Sequence, residues 1–406
     1  MRGFLKQYRE TFNDAYKWKL FILSILTAGL AYGLYKGVID NYLAEIVEMG
    51  EFDRGVSEFF RELPGLLLVF ILAVIWFFSA EAVYKIGAVV MIIGMAMHAM
   101  LPPGKVMITL AIFVFSLGEH LQLGMKSSIS LQYSKPGRGG EALGLMNSSY
   151  WVGKLIGYVI VVPVFLVVSG LAAFRGFFWI STVISAVSAV LALKMPGAST
   201  ADPNKRKFYF SKKYSKYYGL EVFYGARKQV FFTFGPYVLI LFYGASTWVI
   251  SLLFAVSSVA CFLLSPLVGK IIDRLGYRIV MISDTLILVI VCFFYGFAHH
   301  IFPKDVAFII CCVNYVLDSV ISLASMASSV YVKDIAESDD EMHATISTGV
   351  SVNHLITLFI SLFGGWVWQT VGIETLFIIS AVLGLCNSAY AASLKTGRRP
   401  VKTAEA

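Results

Sequence analysis

The ionisable residues set inside long apolar runs are where this sequence could do chemistry. Lys36 and Asp40 stand four residues apart, Glu119 adjoins His120, and Lys154, Arg227, Lys228, Asp318 and His354 each interrupt apolar surroundings. An ion at the centre of a bilayer costs about 2.5–3.5 kcal/mol on insertion scales, so such groups are retained for a pathway or for pairing. The cations Lys154, Arg227, Lys228 and Lys36 could hold an anionic solute, with His354, Asn147 and Tyr150 as further contacts. His120, Glu119, Asp318 and Asp40 could carry a proton, histidine being the side chain whose charge changes most readily near neutral pH. Pairing is the structural alternative: Lys36 and Asp40 have the spacing of an intrahelical ion pair, and Lys154 could bridge to Asp318 or Glu119. Lys126 can snorkel to an edge.

The elements that position these groups follow from composition. Of 406 residues, 58% are hydrophobic and 14% charged, against about 25% charged in soluble domains. Apolar stretches long enough to cross a hydrocarbon core recur at roughly 19–43, 63–80, 83–101, 106–128, 142–169, 172–193, 219–243, 246–269, 279–299, 305–331, 345–368 and 372–393. Lipid offers no partner to backbone groups, so these stretches are expected as helices, giving an all-α protein of twelve spans. Only Glu81 and Lys85 carry the break between the second and third. A rise of about 1.5 Å per residue puts Lys154, Asp318 and His354 near the midplane, with Glu119 and His120 slightly inward. Lys36 and Asp40 fall nearer the outside.

Basic residues accumulate in cytoplasmic loops. They cluster here in the N-terminus (Arg2, Lys6, Arg9, Lys17, Lys19), the centre (Lys205, Arg206, Lys207, Lys212, Lys213, Lys216) and the tail (Lys395, Arg398, Arg399, Lys402), whereas Glu45, Glu48, Glu51, Asp53, Glu58 and Glu62 read as an acidic exterior loop. Both termini are therefore expected in the cytoplasm of a multi-pass protein of the cell (inner) membrane. The net charge of +8 is this topological bias rather than a nucleic-acid footprint, and aromatics within the central run (Phe208, Tyr209, Phe210, Tyr217, Tyr218) suit a segment at the lipid headgroups.

The five cysteines lie within apolar stretches without metal-ligand spacing and read as small buried hydrophobes. His98, His299, His300 and His343 are near loops, are expected to be solvated, and show no zinc spacing. The first span is long enough to remain as a signal anchor. One long polar connection divides the chain into a bundle at 1–193, a linker at 194–218, a second bundle at 219–394 and a tail at 395–406. Ser127-Ser128 at the end of the fourth span and Ser328-Ser329 at the end of the tenth are a weak internal echo.

After the eighth span comes Gly269-Lys270-Ile271-Ile272-Asp273-Arg274-Leu275-Gly276-Tyr277-Arg278. This resembles the cytoplasmic loop signature of the major facilitator superfamily: a Gly, then Asp-Arg four residues later, then Gly and a basic residue. Gly269 would let two helices approach, Gly276 would permit a tight turn, and Asp273 would sit against a helix N-terminus while Arg274 and Arg278 stay cytoplasmic. The resemblance implies a latch on the inner gate. The matching N-terminal loop has Tyr84 where the Asp would stand, and Arg138-Gly139 resembles the family's loop between helices four and five. His120 falls where many members carry an Arg implicated in proton coupling. The family's helices one, four, seven and ten line its cavity.

Together these features predict a secondary transporter, not an enzyme, working by alternating access between two six-helix bundles. A small solute, an organic anion by charge complementarity, and a coupling proton are the expected partners, in a monomer needing no cofactor: no nucleotide-binding loop is present. Efflux of amphipathic or cationic compounds, with Glu119 and Asp318 as attracting charges, is the alternative within transporters. Gly153-Lys154-Leu155-Ile156-Gly157 lacks the Pro that the family's antiporters often carry on helix five. A lipid acyltransferase would need a clustered base or metal set at one interface, and a receptor would bind without turnover. Pro236 after Gly235 predicts a kink above Arg227 and Lys228.

Overall fold

The computed structural model describes residues 2–75, 77–195 and 210–394. The basic run at Lys205, Arg206 and Lys207 with its neighbouring aromatics Phe208 and Tyr209, and the tail with Lys395, Arg398, Arg399 and Lys402, lie outside the described residues.

A short helix α1 (Arg2–Thr11) precedes the first span α2 (Ala15–Glu45), joined by Asp14, whose carboxylate caps α2 by accepting from the backbone N–H groups of Tyr16 and Lys17. The other spans of the first half are α3 (Glu51–Val74), α4 (Ala80–Met100), α5 (Lys105–Tyr133), α6 (Gly139–Phe165) and α7 (Leu171–Leu193). The second half holds α8 (Ser215–Leu241), α9 (Thr247–Leu275), α10 (Tyr277–Ile301), a span broken by a 3₁₀ turn into α11 (Lys304–Ile321) and α12 (Met326–Ile335), then α13 (Asp339–Thr370) and α14 (Ile373–Ala392). That makes twelve crossings, so both ends of the described chain lie on one face. Ten crossings are long and apolar enough to be recognised by composition. The other two, α3 and α8, carry too many charged residues.

α3 is where the expected layout changes. Its apolar part, expected at roughly 63–80, is only the second half of a helix that begins at Glu51. Glu51, Asp53, Glu58 and Glu62 are therefore helical and not part of an exterior loop. Asp53 caps the helix by accepting from the Gly50 N–H at 3.1 Å.

Glycines set how closely the first half packs. Gly29 and Gly33 of α2 face the backbone of Tyr150 and Lys154 on α6, while Gly153 and Gly157 of α6 face the backbone around Leu30 and Leu34. A methyl at any of these would enter backbone, which is how small residues four apart let membrane helices touch. This seam sets Lys154 on a helix pressed directly against α2.

The halves meet through α3 against α13 and α6 against α9, with α2 and α3 also reaching α8. Their hydrogen bonds gather at mid-depth and on the face remote from the termini. There Asn41 donates to the Ala245 carbonyl at 2.8 Å, Tyr237 donates to the Met49 carbonyl at 2.8 Å, and Ser251 donates to the Tyr158 carbonyl at 3.0 Å. Gly55 of α3 and Gly365 of α13 bring those helices together at the same end. Toward the termini, Gly144 of α6 and Gly269 of α9 meet open space. The hydrogen bonds that join the halves thus lie at mid-depth and toward the far face.

Candidate functional site

Charge runs through the middle of the molecule as a ladder. Lys36 donates to Asp40 at 2.6 Å; Arg54 lies 3.4 Å from the other Asp40 oxygen and donates to Glu58 at 2.8 Å; Arg61 donates to Glu58 at 2.6 Å and also pairs with Glu62. Four of its rungs, Arg54, Glu58, Arg61 and Glu62, sit on one face of α3, because positions three and four apart on a helix are neighbours. The ladder ends across the half interface, where Nδ1 of His354 on α13 lies 2.7 Å from Glu62, and Thr357 donates to the same oxygen at 3.0 Å. Gln229 of α8 also crosses the interface, donating to Glu58 at 3.1 Å.

His120 stands beside this last rung. Its Nδ1 lies 3.0 Å from the Ser116 hydroxyl, and its ring centroid is 5.1 Å from that of His354. Gly65 makes the pairing possible, since a methyl there would meet both imidazoles. A ring from each half therefore packs against one glycine of α3.

Two further groups carry no such compensation. Glu119 has no hydrogen bond or ion pair among the described residues and lines a central cavity of about 30 Å³, room for about two waters. Lys36, Asp40, Arg54, Glu58, Arg61 and Phe232 line it as well. Lys154 likewise forms no ion pair among the described residues. Its ammonium lies 4.3 Å from the Trp151 ring centre and 4.7 Å from that of Tyr32, with Tyr150 and Tyr158 at 5.8 and 6.0 Å. Aromatic faces attract a cation without neutralising it. Lys126, expected to snorkel, lies 4.4 Å from the Tyr150 ring.

Several expected site residues take other places. Arg227 is buried and donates from Nη2 to Asp284 at 2.7 Å, while its Nε and Nη1 have no hydrogen-bond partner among the described residues. Asp284, given no role from the sequence, is its partner. Lys36 and Asp40 are the first rung of the ladder, and His354 belongs to the half interface. Lys228 is exposed, as is Asn147. Asp318 has no hydrogen bond or ion pair from its carboxylate among the described residues and sits one turn before the 3₁₀ break at Ser322–Ser325. α8 runs unbroken through Pro236, and the Gly235 carbonyl accepts from Tyr295 at 3.2 Å.

The motif after α9 is not engaged. Gly276 makes the turn with φ +82°, a conformation that favours glycine. Asp273 and Arg274 are exposed and Arg278 is half-buried, none with an ion pair among the described residues, and Gly269 has no neighbour to approach. Tyr84, at the matching position of the first half, is buried with its hydroxyl 3.1 Å from Ser24. His98 is buried rather than solvated: its ring lies beside Tyr35 and its Nδ1 is 2.7 Å from the Gly94 carbonyl. His299 and His300 converge on Glu374.

Sequence reasoning missed Arg54, Glu58, Arg61 and Glu62. The signal for them is acid and base alternating at helical spacing.

Residues 220–406 match the profile of the Major Facilitator Superfamily. No curated protein matches the sequence. Among solved structures, a mutant of the nucleoside transporter NupG superposes with a TM-score of 0.72 at 19% identity, covering 94% of this chain and 100% of that one. A POT family transporter in complex with 5-aminolevulinic acid gives 0.72 at 12% identity over 91% and 94%, and a D-xylose-proton symporter gives 0.70 at 15% over 92% and 96%. Residues 220–406 thus carry the sequence pattern of the Major Facilitator Superfamily, and the chain shares the fold of these transporters over more than nine-tenths of its length.

Proposed function

We propose that this transporter moves a small organic anion together with protons, by alternating access, in a cell membrane with both termini in the cytoplasm. The observation that carries the reading is the pair of uncompensated charges at the centre, Lys154 under its aromatic rings and Glu119 on the cavity wall. An anion arriving at Lys154 supplies the direct ion-pair partner that no side chain among the described residues provides. A proton on Glu119 removes the matching uncompensated carboxylate, so solute and proton together leave the centre neutral and cheaper to enclose. Tyr150 and Lys126 extend the anion's surroundings, and Lys228 and Asn147 lie along its approach. Arg227 and Lys36 have no part in binding.

The gate in this reading is the contact of Glu62 with His354, flanked by His120. Opening the far side requires α3 and α13 to separate, which breaks that pair, and protonation of either partner changes its strength. Arg61, Glu58 and Glu119 are the other titratable or charged groups facing it. The hydrogen bonds between the halves toward the far face, and the disengaged motif of Gly269, Asp273, Arg274, Gly276 and Arg278, support a state open toward the cytoplasm in this reading. Asp318 is a second proton carrier, in the other half.

An aminolevulinic acid complex among the structural relatives supports a carboxylate-bearing solute, whereas the nucleoside and xylose transporters show that the fold also serves neutral ones. Efflux of a cation remains the competing reading, favoured by the unpaired carboxylates of Glu119 and Asp318 near an aromatic wall. Purified protein in liposomes, loaded with a pH-sensitive dye and challenged with a panel of organic anions and cations, separates the two. Inward proton movement with an anion and its loss in Lys154→Gln supports symport. Proton exit against an entering cation, undiminished in Lys154→Gln, establishes exchange instead.

A further inference from the structure

On the face remote from the termini, the end of α10 and the start of α14 bring three ligand atoms together. Nε2 of His300 lies 2.9 Å and Nε2 of His299 lies 3.3 Å from the same oxygen of Glu374. One ligand atom from each residue falls within 4.8 Å of the other two. Zinc bound at about 2.0–2.2 Å to imidazole nitrogen and carboxylate oxygen has tetrahedral edges of about 3.3 Å, which the His299–Glu374 distance matches and which a small widening of the His300–Glu374 distance reaches.

The surroundings hold the donors in place. The two imidazoles lie 3.9 Å apart, the Phe242 ring packs on His299 at 4.7 Å, and Gly296 lets the backbone at Glu374 approach α10. Nδ1 of His299 is buried without a hydrogen-bond partner among the described residues. With the ring protons on Nδ1, both Nε2 atoms and the carboxylate oxygen present lone pairs to a shared cation. No Lys or Arg among the described residues pairs with Glu374.

We propose that His299, His300 and Glu374 form a binding site for a divalent transition metal of the zinc type, fastening the start of α14 to the end of α10. Two nitrogens and one oxygen suit zinc, cobalt or nickel better than magnesium or calcium. Three protein ligands leave the fourth position to water, so the ion exchanges with the medium. This site lies apart from the central cavity and does not depend on the solute.

Full-length protein purified in detergent and stripped with chelator is melted with Zn²⁺, Co²⁺ or Mg²⁺. A metal that binds only the folded state raises the melting temperature by about 2 °C or more at saturation. Zn²⁺ and Co²⁺ are expected to do so, chelator to reverse it, Mg²⁺ to have no effect, and bound Co²⁺ to show the visible absorption of tetrahedral coordination. His300→Ala, an exposed position that does not threaten folding, and Glu374→Gln are expected to abolish both signals. Equal shifts in wild type and His300→Ala would overturn the proposal. So would a folded wild type in which neither metal produces a shift or a spectrum, which would leave a proton as the only occupant.

Discussion

The two halves of the molecule handle buried charge differently. In the first half, six ionised groups from Lys36 to Glu62 are chained, each touching the next, and the chain runs out to His354 in the other half. In the second half, Arg227 and Asp284 form an isolated pair, and Asp318 stands by itself. A chain can be rearranged by a proton or solute at one end and felt at the other, whereas an isolated pair only holds two helices together. In the proposed transport cycle the first half is accordingly the moving, charge-sensitive side, and the Arg227 pair is a brace.

The strongest test of that contrast is to cut each arrangement once. Arg61→Gln leaves Glu58 and Glu62 without their shared cation. Removing one partner of a buried pair costs about 3–5 kcal/mol, so thermal unfolding in detergent should show a loss at or above the upper end. Arg227→Gln bares one carboxylate instead of two and should cost less, and adding Asp284→Asn should recover most of it. Equal losses for the two cuts, or no recovery in the double variant, would erase the distinction.

Gly65→Ala probes the junction between ladder and second half. The added methyl meets the rings of His120 and His354, and overpacking of this kind costs about 1–3 kcal/mol. Transport should fall further than stability does, because the change loads only the sealed state; a variant with unchanged transport at every pH would show that the two rings play no part in gating.

Lys154→Gln should barely move the melting point, since no ion pair is lost. Uptake should drop about tenfold or more, the scale of about 1.4 kcal/mol of binding. A large loss of stability would mean instead that Lys154 is a structural cation held by its aromatic rings.

The smallest effect belongs to the surface. Lys213, on the short turn before α8, donates to Glu337 at 2.8 Å and lies near Glu341, and Glu337 first, with Glu341, holds its amine above the ordinary lysine range. A raised lysine contributes stability that is constant below the ordinary value near 10.5 and is lost only as pH rises through the higher folded value. Lys213→Ala should therefore change melting slightly and uniformly from pH 5 to 9, with the difference vanishing in high salt. A step near neutral pH would tie this turn to the titrating centre.

How much of this could be read beforehand depended on whether charge was local or distributed. Spans such as α2, α5 and α10 each hold a long apolar window with few charges, so their existence was legible from composition. The first half of α3 was not, because Arg54, Glu58, Arg61 and Glu62 lower its hydropathy, and only the fold shows that each is neutralised by a neighbour. Lys154, Glu119 and Asp318 were legible because a lone ion in an apolar run stands out. Arg227 was legible as buried but not as paired, since Asp284 is 57 residues away. His98 and His299 were misread for the same reason, their partners being brought by packing rather than by spacing, whereas His300 is exposed as expected.

The central claim is that an anion and a proton enter together because Lys154 and Glu119 lack partners. It is tested most directly by internal acidification of liposomes holding the purified protein, recorded as an organic anion is added outside, for wild type and Glu119→Gln. The account predicts acidification in wild type and anion movement without acidification, or none of either, in Glu119→Gln. Acidification of equal rate and stoichiometry in both would contradict it.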